Sequence, residues 1–179
     1  MADSDIQIID DFIDHSSFNL LQTEIMSPYF DWYMVDKIKK QDWQDFVNKP
    51  DDNFNFQFIH VFISQQYEKS PYFSLLYPIL DILKPVAINR IKGNCIPKTE
   101  SLHVSDFHLD IDDEKVIDSN PKTAIFYVNN NDGYTLFEDG TKVKSVENRM
   151  CIFPYHLKHA GSTCTDKFSR VLINFLYVK

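Results

Sequence analysis

The sequence has few of several residue types and patterns, and each shortage argues against a class of protein. Only 4 of its 179 residues are glycine, so few turns can use the left-handed backbone conformation that glycine favours. No apolar run approaches the roughly 18 residues that a membrane-spanning helix needs. The first ten residues are acidic and lack the basic start of a secretory leader. We therefore expect a cytoplasmic protein with no membrane partner.

Cysteine and positive charge are also scarce. Cys95, Cys151 and Cys164 are an odd number without CxxC spacing, which argues against a disulfide framework or a zinc knuckle and favours a reducing compartment. The formal net charge of −8 argues against broad nucleic-acid binding, because such binding needs a basic surface. It leaves a local basic groove open.

Aromatic and β-branched residues are abundant instead. The chain is 44% hydrophobic and contains 15 Phe and 9 Tyr, a composition typical of a globular protein with a sheet-rich core. Helical spacing of apolar residues predicts helices over 16–27 and 70–84, with Pro78 kinking or breaking the second. Alternation and turn signals predict strands over 6–14, 30–35, 54–63, 85–94, 105–112, 123–129, 134–139, 141–146, 149–157 and 169–178. The polar stretch 37–53 is predicted as a surface loop or partial helix.

These elements predict an α+β, mainly β fold in a single domain over 1–179. Residues 1–84 form a helix and strand support region, and residues 85–179 form the core. Short strands joined by turns, including an Asp-Gly hairpin at 139–140, indicate a double-sheet jelly roll or cupin-like barrel. The helices are expected to cover the outer face of one sheet.

Candidate metal ligands lie in the core region. His108 and Asp110 are two residues apart, so on a strand their side chains point to the same face. A third ligand must come from elsewhere, and either His156 or His159 could supply it. Two histidines and one carboxylate form the facial triad of non-haem Fe(II) oxygenases, which leaves coordination positions open.

Arg170 is one of only three arginines, and it begins an otherwise apolar strand. A buried charge without a partner is costly, so this arginine needs a ligand or an ion pair. A guanidinium can hold a carboxylate by two parallel hydrogen bonds. A dicarboxylate could therefore bind Arg170 at one end and the metal at the other.

These spacings resemble a known family. His108-x-Asp110 is followed after 49 residues by His159, and Arg170 follows after a further 11. The stretch FYVNNNDGYTLFEDG (126–140) contains Tyr127-Val-Asn129 and then Gly133-Tyr-Thr135-Leu-Phe137. This pattern is similar to the Fe(II)/2-oxoglutarate-dependent dioxygenases, and most to their prolyl 4-hydroxylase-like branch. The branch has two glycines where this chain has one. The resemblance covers 85–179, and the compact size is similar to that of enzymes from tailed phages.

The resemblance implies a double-stranded β-helix and a set of roles. His108, Asp110 and His159 would bind Fe(II), and Arg170 would bind the C5 carboxylate of 2-oxoglutarate. His159 is preferred to His156 because small residues follow it and its spacing to Arg170 fits the family. Tyr127 and Thr135 would lie beside the same co-substrate. Many relatives have a serine two residues after the arginine, whereas this chain has Leu172. O₂ would be consumed, and ascorbate could support the iron.

The primary substrate is not specified by these motifs. The resemblance favours a peptidyl proline or another side chain, although a nucleobase or a small metabolite stays open. Asn174, Arg90 and His103 are candidates for the substrate side. Each also has a simpler interpretation, as a core hydrogen bond, a surface ion pair and a surface or lid residue respectively. Two other functions are a non-catalytic cupin-like metal- or ligand-binding module, against which the intact triad with Arg170 argues, and a zinc hydrolase, which would need a general base near the metal and gives Arg170 no role.

Overall fold

The computed structural model describes residues 6–36, 56–65, 69–110 and 121–179. Within these ranges the elements are β1 (Gln7–Ile9), α1 (His15–Ile25), β2 (Tyr33–Asp36), β3 (Phe56–Ser64), a 3-10 helix (Pro71–Leu76), α2 (Tyr77–Leu83), β4 (Ala87–Pro97), β5 (Lys122–Tyr127), β6 (Tyr134–Phe137), β7 (Lys142–Lys144), β8 (Arg149–Pro154), β9 (His159–Gly161) and β10 (Ser169–Val178).

The strands form two sheets. The main sheet is antiparallel with the order β1-β8-β5-β10-β4-β3-β2, and the minor sheet has the order β7-β6-β9. Side chains from both sheets meet in one buried cluster, in which Phe137 and Val143 of the minor sheet pack with Tyr127 and Phe153 of the main sheet. The predicted mainly β jelly roll is therefore confirmed. Strands from before residue 85 complete the main sheet, which is consistent with our proposal of one domain.

The two faces of the main sheet bury different partners. Side chains alternate between the faces along a strand. On β10, Val171, Ile173 and Phe175 pack with the helices in the outer cluster, whereas Leu172 lies in the inner cluster between the sheets. The helices thus cover the outer face, as predicted, and the inner face is left for a site.

The helices begin and end at identifiable signals. Asp14 caps α1 by accepting a hydrogen bond from the Ser17 backbone N–H at 3.0 Å, so the predicted capping serines lie inside the first turn. The predicted break near Pro78 is present, because a 3-10 helix ends at Leu76 and α2 begins at Tyr77. Neither helix in this part of the chain has the length and apolar character needed to cross a membrane.

Residues 105–110 do not form the predicted strand. Two isolated bridges connect this part of the chain to the β9 region. Val104 pairs with Ser162, the residue after β9, and His108 pairs with His159, the first residue of β9. Between the bridges, the Gly161 backbone N–H donates to the Ser105 hydroxyl at 3.1 Å. In a regular strand ladder this N–H would donate to a backbone carbonyl. The short strand β9 was not predicted. The predicted loop at 37–53 lies outside the described residues.

Candidate metal centre

Three predicted ligands converge at the open edge of the minor sheet. His159 begins β9, and its backbone exchanges hydrogen bonds of 3.0 and 3.1 Å with His108. The ligand atoms of His108, Asp110 and His159 all lie within 4.8 Å of one another. His159 is buried and His108 is exposed, so the cluster is reached from one side. This donor set and spacing fit one divalent metal ion.

Backbone carbonyls orient both imidazole rings. His108 Nδ1 lies 3.2 Å from the Asp106 carbonyl oxygen, and His159 Nδ1 lies 3.3 Å from that of Leu157. A proton on Nδ1 satisfies each carbonyl and leaves the Nε2 lone pair for a metal. His159 Nε2 is 3.6 Å from Asp110 Oδ2, so the free nitrogen faces the carboxylate.

The protonation states also suit metal binding. Burial lowers the pKa of His159, although the nearby Asp110 charge opposes this shift. Burial alone would raise the pKa of Asp110, but His159 and the Asn174 hydrogen bond outweigh it, so the net shift is downward. A neutral imidazole and an ionised carboxylate are the forms that bind metals.

Two inner-face side chains hold the carboxylate. Asn174 Nδ2 donates to Asp110 Oδ2 at 3.0 Å, and Arg90 Nη2 donates to Asp110 Oδ1 at 3.4 Å. The structure therefore brings two of the predicted substrate-side residues to the metal cluster. The simpler interpretation of Arg90 was a surface ion pair. Arg90 does form an ion pair, but its partner is Asp110, a candidate metal ligand.

The three arginines have different partners. Arg149 forms a two-pronged pair with Asp10, and Arg90 pairs with Asp110. Arg170, by contrast, is 1% exposed and has no carboxylate within ion-pair distance in the described part of the chain. Burial lowers its pKa, but a guanidinium stays protonated at neutral pH. It is therefore a fixed positive charge inside the fold.

Neutral groups surround this charge. Arg170 Nε donates to Ser145 Oγ at 2.8 Å, Nη1 to the Ser162 carbonyl at 3.3 Å and Nη2 to Thr135 Oγ1 at 3.1 Å. A guanidinium has five N–H groups, so one remains on each terminal nitrogen. Two such groups match the two oxygens of a carboxylate. The surroundings fit one end of a dicarboxylate.

Thr135 links the arginine to Tyr127. The Tyr127 hydroxyl donates to Thr135 Oγ1 at 2.8 Å, so Thr135 accepts from both neighbours and keeps its own proton to donate. Burial raises the pKa of Tyr127, which keeps the phenol neutral. The structure thus brings both predicted co-substrate residues to Arg170, and their roles stay predictions.

Glycine at position 133 makes room for Arg170. A Cβ there would lie 2.7 Å from Arg170 Cδ and 2.7 Å from the Thr163 carbonyl oxygen. Real Cβ atoms do not approach backbone oxygens so closely, so a larger residue would displace the arginine. The single glycine of the motif therefore has a steric reason.

Other residues fall into two groups. Ser145 and Ser162, which contact Arg170, were missed because no local pattern connects them to it. His103 and His156 are exposed and belong to no metal cluster among the described residues. The His103 backbone N–H donates to Thr163 Oγ1 and its carbonyl accepts the Thr163 N–H, whereas His156 packs edge-on against Tyr155. The structure thus favours His159 over His156 as the third ligand.

Comparisons with known proteins bear on the fold. No protein-family model matches this chain, and no curated protein matches it by sequence. A prolyl-4-hydroxylase from Pseudomonas putida aligns with a TM-score of 0.53 and 14% identity over 99% of this chain and 95% of that one. A prolyl hydroxylase from Trichoplax adhaerens, in complex with a hypoxia-inducible factor peptide fragment, has a TM-score of 0.62 and 12% identity over 98% and 84%.

A third structure carries ligands. HygX from Streptomyces hygroscopicus, with nickel and 2-oxoglutarate bound, aligns with a TM-score of 0.59 and 12% identity over 98% of this chain and 83% of that one. These similarities extend the resemblance beyond 85–179 to almost the whole chain. The chain therefore has the prolyl hydroxylase-like fold of the 2-oxoglutarate and Fe(II) oxygenases.

Proposed function

We propose that this chain is an Fe(II)- and 2-oxoglutarate-dependent dioxygenase that hydroxylates a C–H bond and releases succinate and CO₂. One observation carries the proposal: a three-ligand metal cluster lies on the same inner surface as a buried arginine that has no acidic partner among the described residues. A structural metal would account for the first feature alone, and a core hydrogen-bond network would account for the second. Together they fit a co-substrate with a metal-binding end and a carboxylate end.

His108, Asp110 and His159 would hold the metal. They supply two neutral nitrogens and one anionic oxygen, and a facial set of this kind leaves positions for the co-substrate and O₂. Bound Fe(II) would supply the redox chemistry that couples decarboxylation of 2-oxoglutarate to hydroxylation, with one oxygen atom of O₂ in succinate and the other in the product. Asn174 and Arg90 keep the Asp110 carboxylate oriented.

Arg170 would bind and orient the co-substrate. Its remaining N–H groups can take the distal carboxylate, and the free Thr135 proton can donate to the same group. A molecule fixed at both ends has one orientation at the metal, which reduces the entropy lost in the reaction.

Aromatic side chains shield the buried ligand. Phe153 packs edge-on against the His159 ring with a centroid distance of 4.9 Å, and the Phe137 centroid is 6.2 Å away. These rings exclude water from one side of the cluster. Exclusion of water limits side reactions of reactive intermediates.

A peptidyl side chain, prolyl among them, is the substrate class that the resemblance favours. Peptide binding by the Trichoplax enzyme supports this choice, and a nucleobase or small metabolite is the alternative. The free thiols of Cys95, Cys151 and Cys164 support a cytoplasmic location. Ascorbate would serve as a reductant for the iron. A zinc hydrolase would leave Arg170 without a function, and a non-catalytic module would not need a complete metal triad beside it.

The test is succinate release from 2-oxoglutarate with Fe(II), O₂ and ascorbate. We expect His108→Ala and Asp110→Ala to reduce the rate by about 100-fold or more, since each removes a metal ligand and lost ligands cost far more than the 10- to 100-fold of outer-shell changes. His156→Ala is the matched control and should keep the wild-type rate. A wild-type protein that binds Fe(II) but never decarboxylates 2-oxoglutarate would contradict the proposal.

A further inference from the structure

Three polar atoms on the inner face are buried without a hydrogen-bond partner in the described parts of the chain. They are Arg90 Nε, Asn174 Oδ1 and Thr123 Oγ1. A buried polar atom left unpaired costs about 1–3 kcal/mol, so such atoms indicate a missing ligand or water. No other buried side-chain nitrogen or oxygen among the described residues lacks a partner. The three atoms belong to β4, β10 and β5, which are neighbours in the main sheet.

The strand register places these residues together. Asn174 on β10 is paired with Lys92 on β4, and Leu176 is paired with Arg90 on one side and Thr123 on the other. Ile91 packs in the outer cluster, so alternation directs Arg90 and Lys92 to the inner face. The contacts of Arg90 and Asn174 with Asp110 confirm this direction.

Lys92 is a second cation on the same strand face as Arg90. We call the inner-face surface formed by Arg90, Lys92, Thr123 and Asn174 the cationic wall. It is only partly exposed, and no carboxylate lies within ion-pair distance of it among the described residues. Burial, with help from the Arg90 charge, lowers the pKa of Lys92 to about 8, and only the Asp110 charge opposes the shift. Two residues on one strand face are about 7 Å apart, so one anionic group can contact both Arg90 and Lys92.

This wall lies away from the co-substrate arginine. Asn174, which holds Asp110, is four residues along β10 from Arg170, and Leu176 lies beyond it. A co-substrate between the metal and Arg170 would occupy one end of the inner face. Arg90, Lys92 and Thr123 are at the level of the metal or on its other side, and Arg90 and Lys92 are partly exposed there.

We propose that the primary substrate carries an anionic group, a carboxylate or a phosphate, that Arg90 and Lys92 bind beside the metal. A hydrogen-bond donor next to that group reaches Asn174 Oδ1. This inference rests on the proposed function and names the substrate class of the same site. A metal that shares the Asp110 charge would leave less of it for Arg90, and Lys92 has no acidic partner among the described residues, so both cations favour an anion. The net charge of −8 gives no hint of this local wall.

The test uses the full chain loaded with Ni(II) and 2-oxoglutarate, with binding measured by calorimetry. One arm compares L-glutamate with L-glutamine and adds inorganic phosphate, and the other compares capped Ala-Pro hexapeptides that carry a single Asp or Asn. Each organic pair differs in one charge. We expect the anionic member to bind about tenfold more tightly in at least one arm, a difference of about 1.4 kcal/mol. The arm that shows it separates a free acid from a peptide.

Variants assign the preference to the wall. Lys92→Met keeps the stem without the charge and should reduce the preference to less than about threefold, whereas Lys92→Arg should keep it. Lys144→Met, at an exposed site on β7, is the matched control and should behave as wild type. Lys92→Glu should bind a capped Ala-Pro hexapeptide that carries a single Lys more tightly than the Asp hexapeptide. This reversal keeps the test decisive if the methionine variant folds poorly.

Other outcomes overturn the inference. Equal or absent binding of anionic and neutral probes in both arms would contradict it, as would a preference that survives in Lys92→Met. If Lys92→Met weakens 2-oxoglutarate itself, the wall serves the co-substrate and the inference fails. A wild-type chain that binds no 2-oxoglutarate in the loading step would instead contradict the proposed function.

Discussion

Arg170 carries a positive charge into the interior, and its hydrogen-bond partners Ser145, Ser162 and Thr135 are all neutral. Neutral acceptors satisfy hydrogen-bond geometry but do not balance the charge. A buried charge without a counter-ion lowers stability until a ligand supplies one. At the residue scale, we therefore interpret Arg170 as a site kept for a ligand rather than as part of a structural ion pair.

The first prediction concerns Arg170→Met. Without 2-oxoglutarate, this variant should lose no more than about 1 kcal/mol of unfolding free energy, because removal of the unpaired charge offsets the lost hydrogen bonds. Added 2-oxoglutarate should raise the melting temperature of the metal-loaded wild type but not of the variant. Thermal unfolding of both proteins with and without the co-substrate checks this. A variant that 2-oxoglutarate still stabilises would remove Arg170 from the site.

The second prediction concerns Gly133→Ala. The added methyl group meets Arg170 Cδ and the Thr163 carbonyl, so the arginine must move. We expect 2-oxoglutarate affinity to fall by about tenfold or more while Ni(II) affinity changes little, since the lost charge-assisted bonds are worth about 1.5–3 kcal/mol. Calorimetry with each ligand provides the measurement. Gly140→Asn is the control, because Gly140 has a φ of +89° but no neighbour within 4 Å. Equal losses in both variants would mean a general folding effect.

Single residues were predictable where chemistry fixes their spacing. His108, Asp110 and Arg170 were chosen from residue type and separation, and the family resemblance selected His159 over His156. The structure brings the three histidine and aspartate ligands together. Ser145 was missed because it lies 25 residues from Arg170, and only the strand arrangement brings them into contact. The sequence alone contains no signal for such a pair.

At the element scale, the approach to His108 is held by side chains as well as by isolated backbone bridges. Thr163 Oγ1 accepts the His103 backbone N–H at 2.9 Å and lies 2.6 Å from Thr99 Oγ1. The Ser105 backbone N–H donates to the Gly161 carbonyl at 2.9 Å. These contacts hold residues 99–105 beside β9, and so they fix the position of the candidate metal ligand His108.

The third prediction follows for Thr163→Val, which keeps the shape and removes the hydroxyl. Two hydrogen bonds are lost near the metal cluster, so we expect the unfolding free energy to fall by about 1–3 kcal/mol. Ni(II) affinity should fall by about 3- to 10-fold as His108 gains freedom. This is less than the roughly 10- to 100-fold expected for a group bonded directly to a ligand, because Thr163 holds His103 and not His108 itself. Denaturant titration and calorimetry measure the two effects. Thr141→Val, in the β6–β7 turn, should change neither, and unaltered Ni(II) affinity in Thr163→Val would separate this segment from the site.

Elements were predicted where local signals are strong. The Asp-Gly hairpin between β6 and β7 is confirmed, with Leu136 opposite Lys142. The predicted strand around His108 was wrong. Residues 104 and 108 meet the β9 region through isolated bridges, and the Gly161 N–H of β9 donates to the Ser105 hydroxyl instead of to a backbone carbonyl. Strand β9 has three residues, too few for a pattern to reveal.

At the scale of the whole molecule, the main sheet separates the larger apolar core on one face from the candidate site on the other. Its outer face packs on the helices, and its inner face carries the site and a smaller apolar cluster. A change on the outer face removes packing without contacting the ligands. The two faces should therefore respond independently to substitution.

The fourth prediction concerns Leu21→Ala on α1, whose side chain is fully buried in the outer cluster. The cavity should lower the unfolding free energy by about 2–5 kcal/mol. Below the melting temperature, the affinity for 2-oxoglutarate should stay within about twofold of wild type, because distant sites act additively. Denaturant unfolding and calorimetry supply both values. Leu20→Ala, at an exposed neighbour, is the control, and a large loss of affinity in Leu21→Ala would couple the two faces.

The jelly roll could be predicted from the number and spacing of short strands, but the strand order could not. The main sheet places β10 between β4 and β5, and β9 and β10 lie in different sheets. Such pairings join residues far apart in the chain, so no local pattern specifies them. Arg90 and Lys92 are neighbours on β4 itself, but this order is what places them beside Asn174 on β10 and near Thr123 on β5.

We propose that one dicarboxylate spans the metal and Arg170. An anaerobic crystal structure of the chain with Fe(II) and 2-oxoglutarate tests it most directly. We expect iron bound by His108, Asp110 and His159, with 2-oxoglutarate chelating the iron and its C5 carboxylate accepting two hydrogen bonds from Arg170. Iron bound elsewhere, or a C5 carboxylate with no contact to Arg170, would contradict the claim.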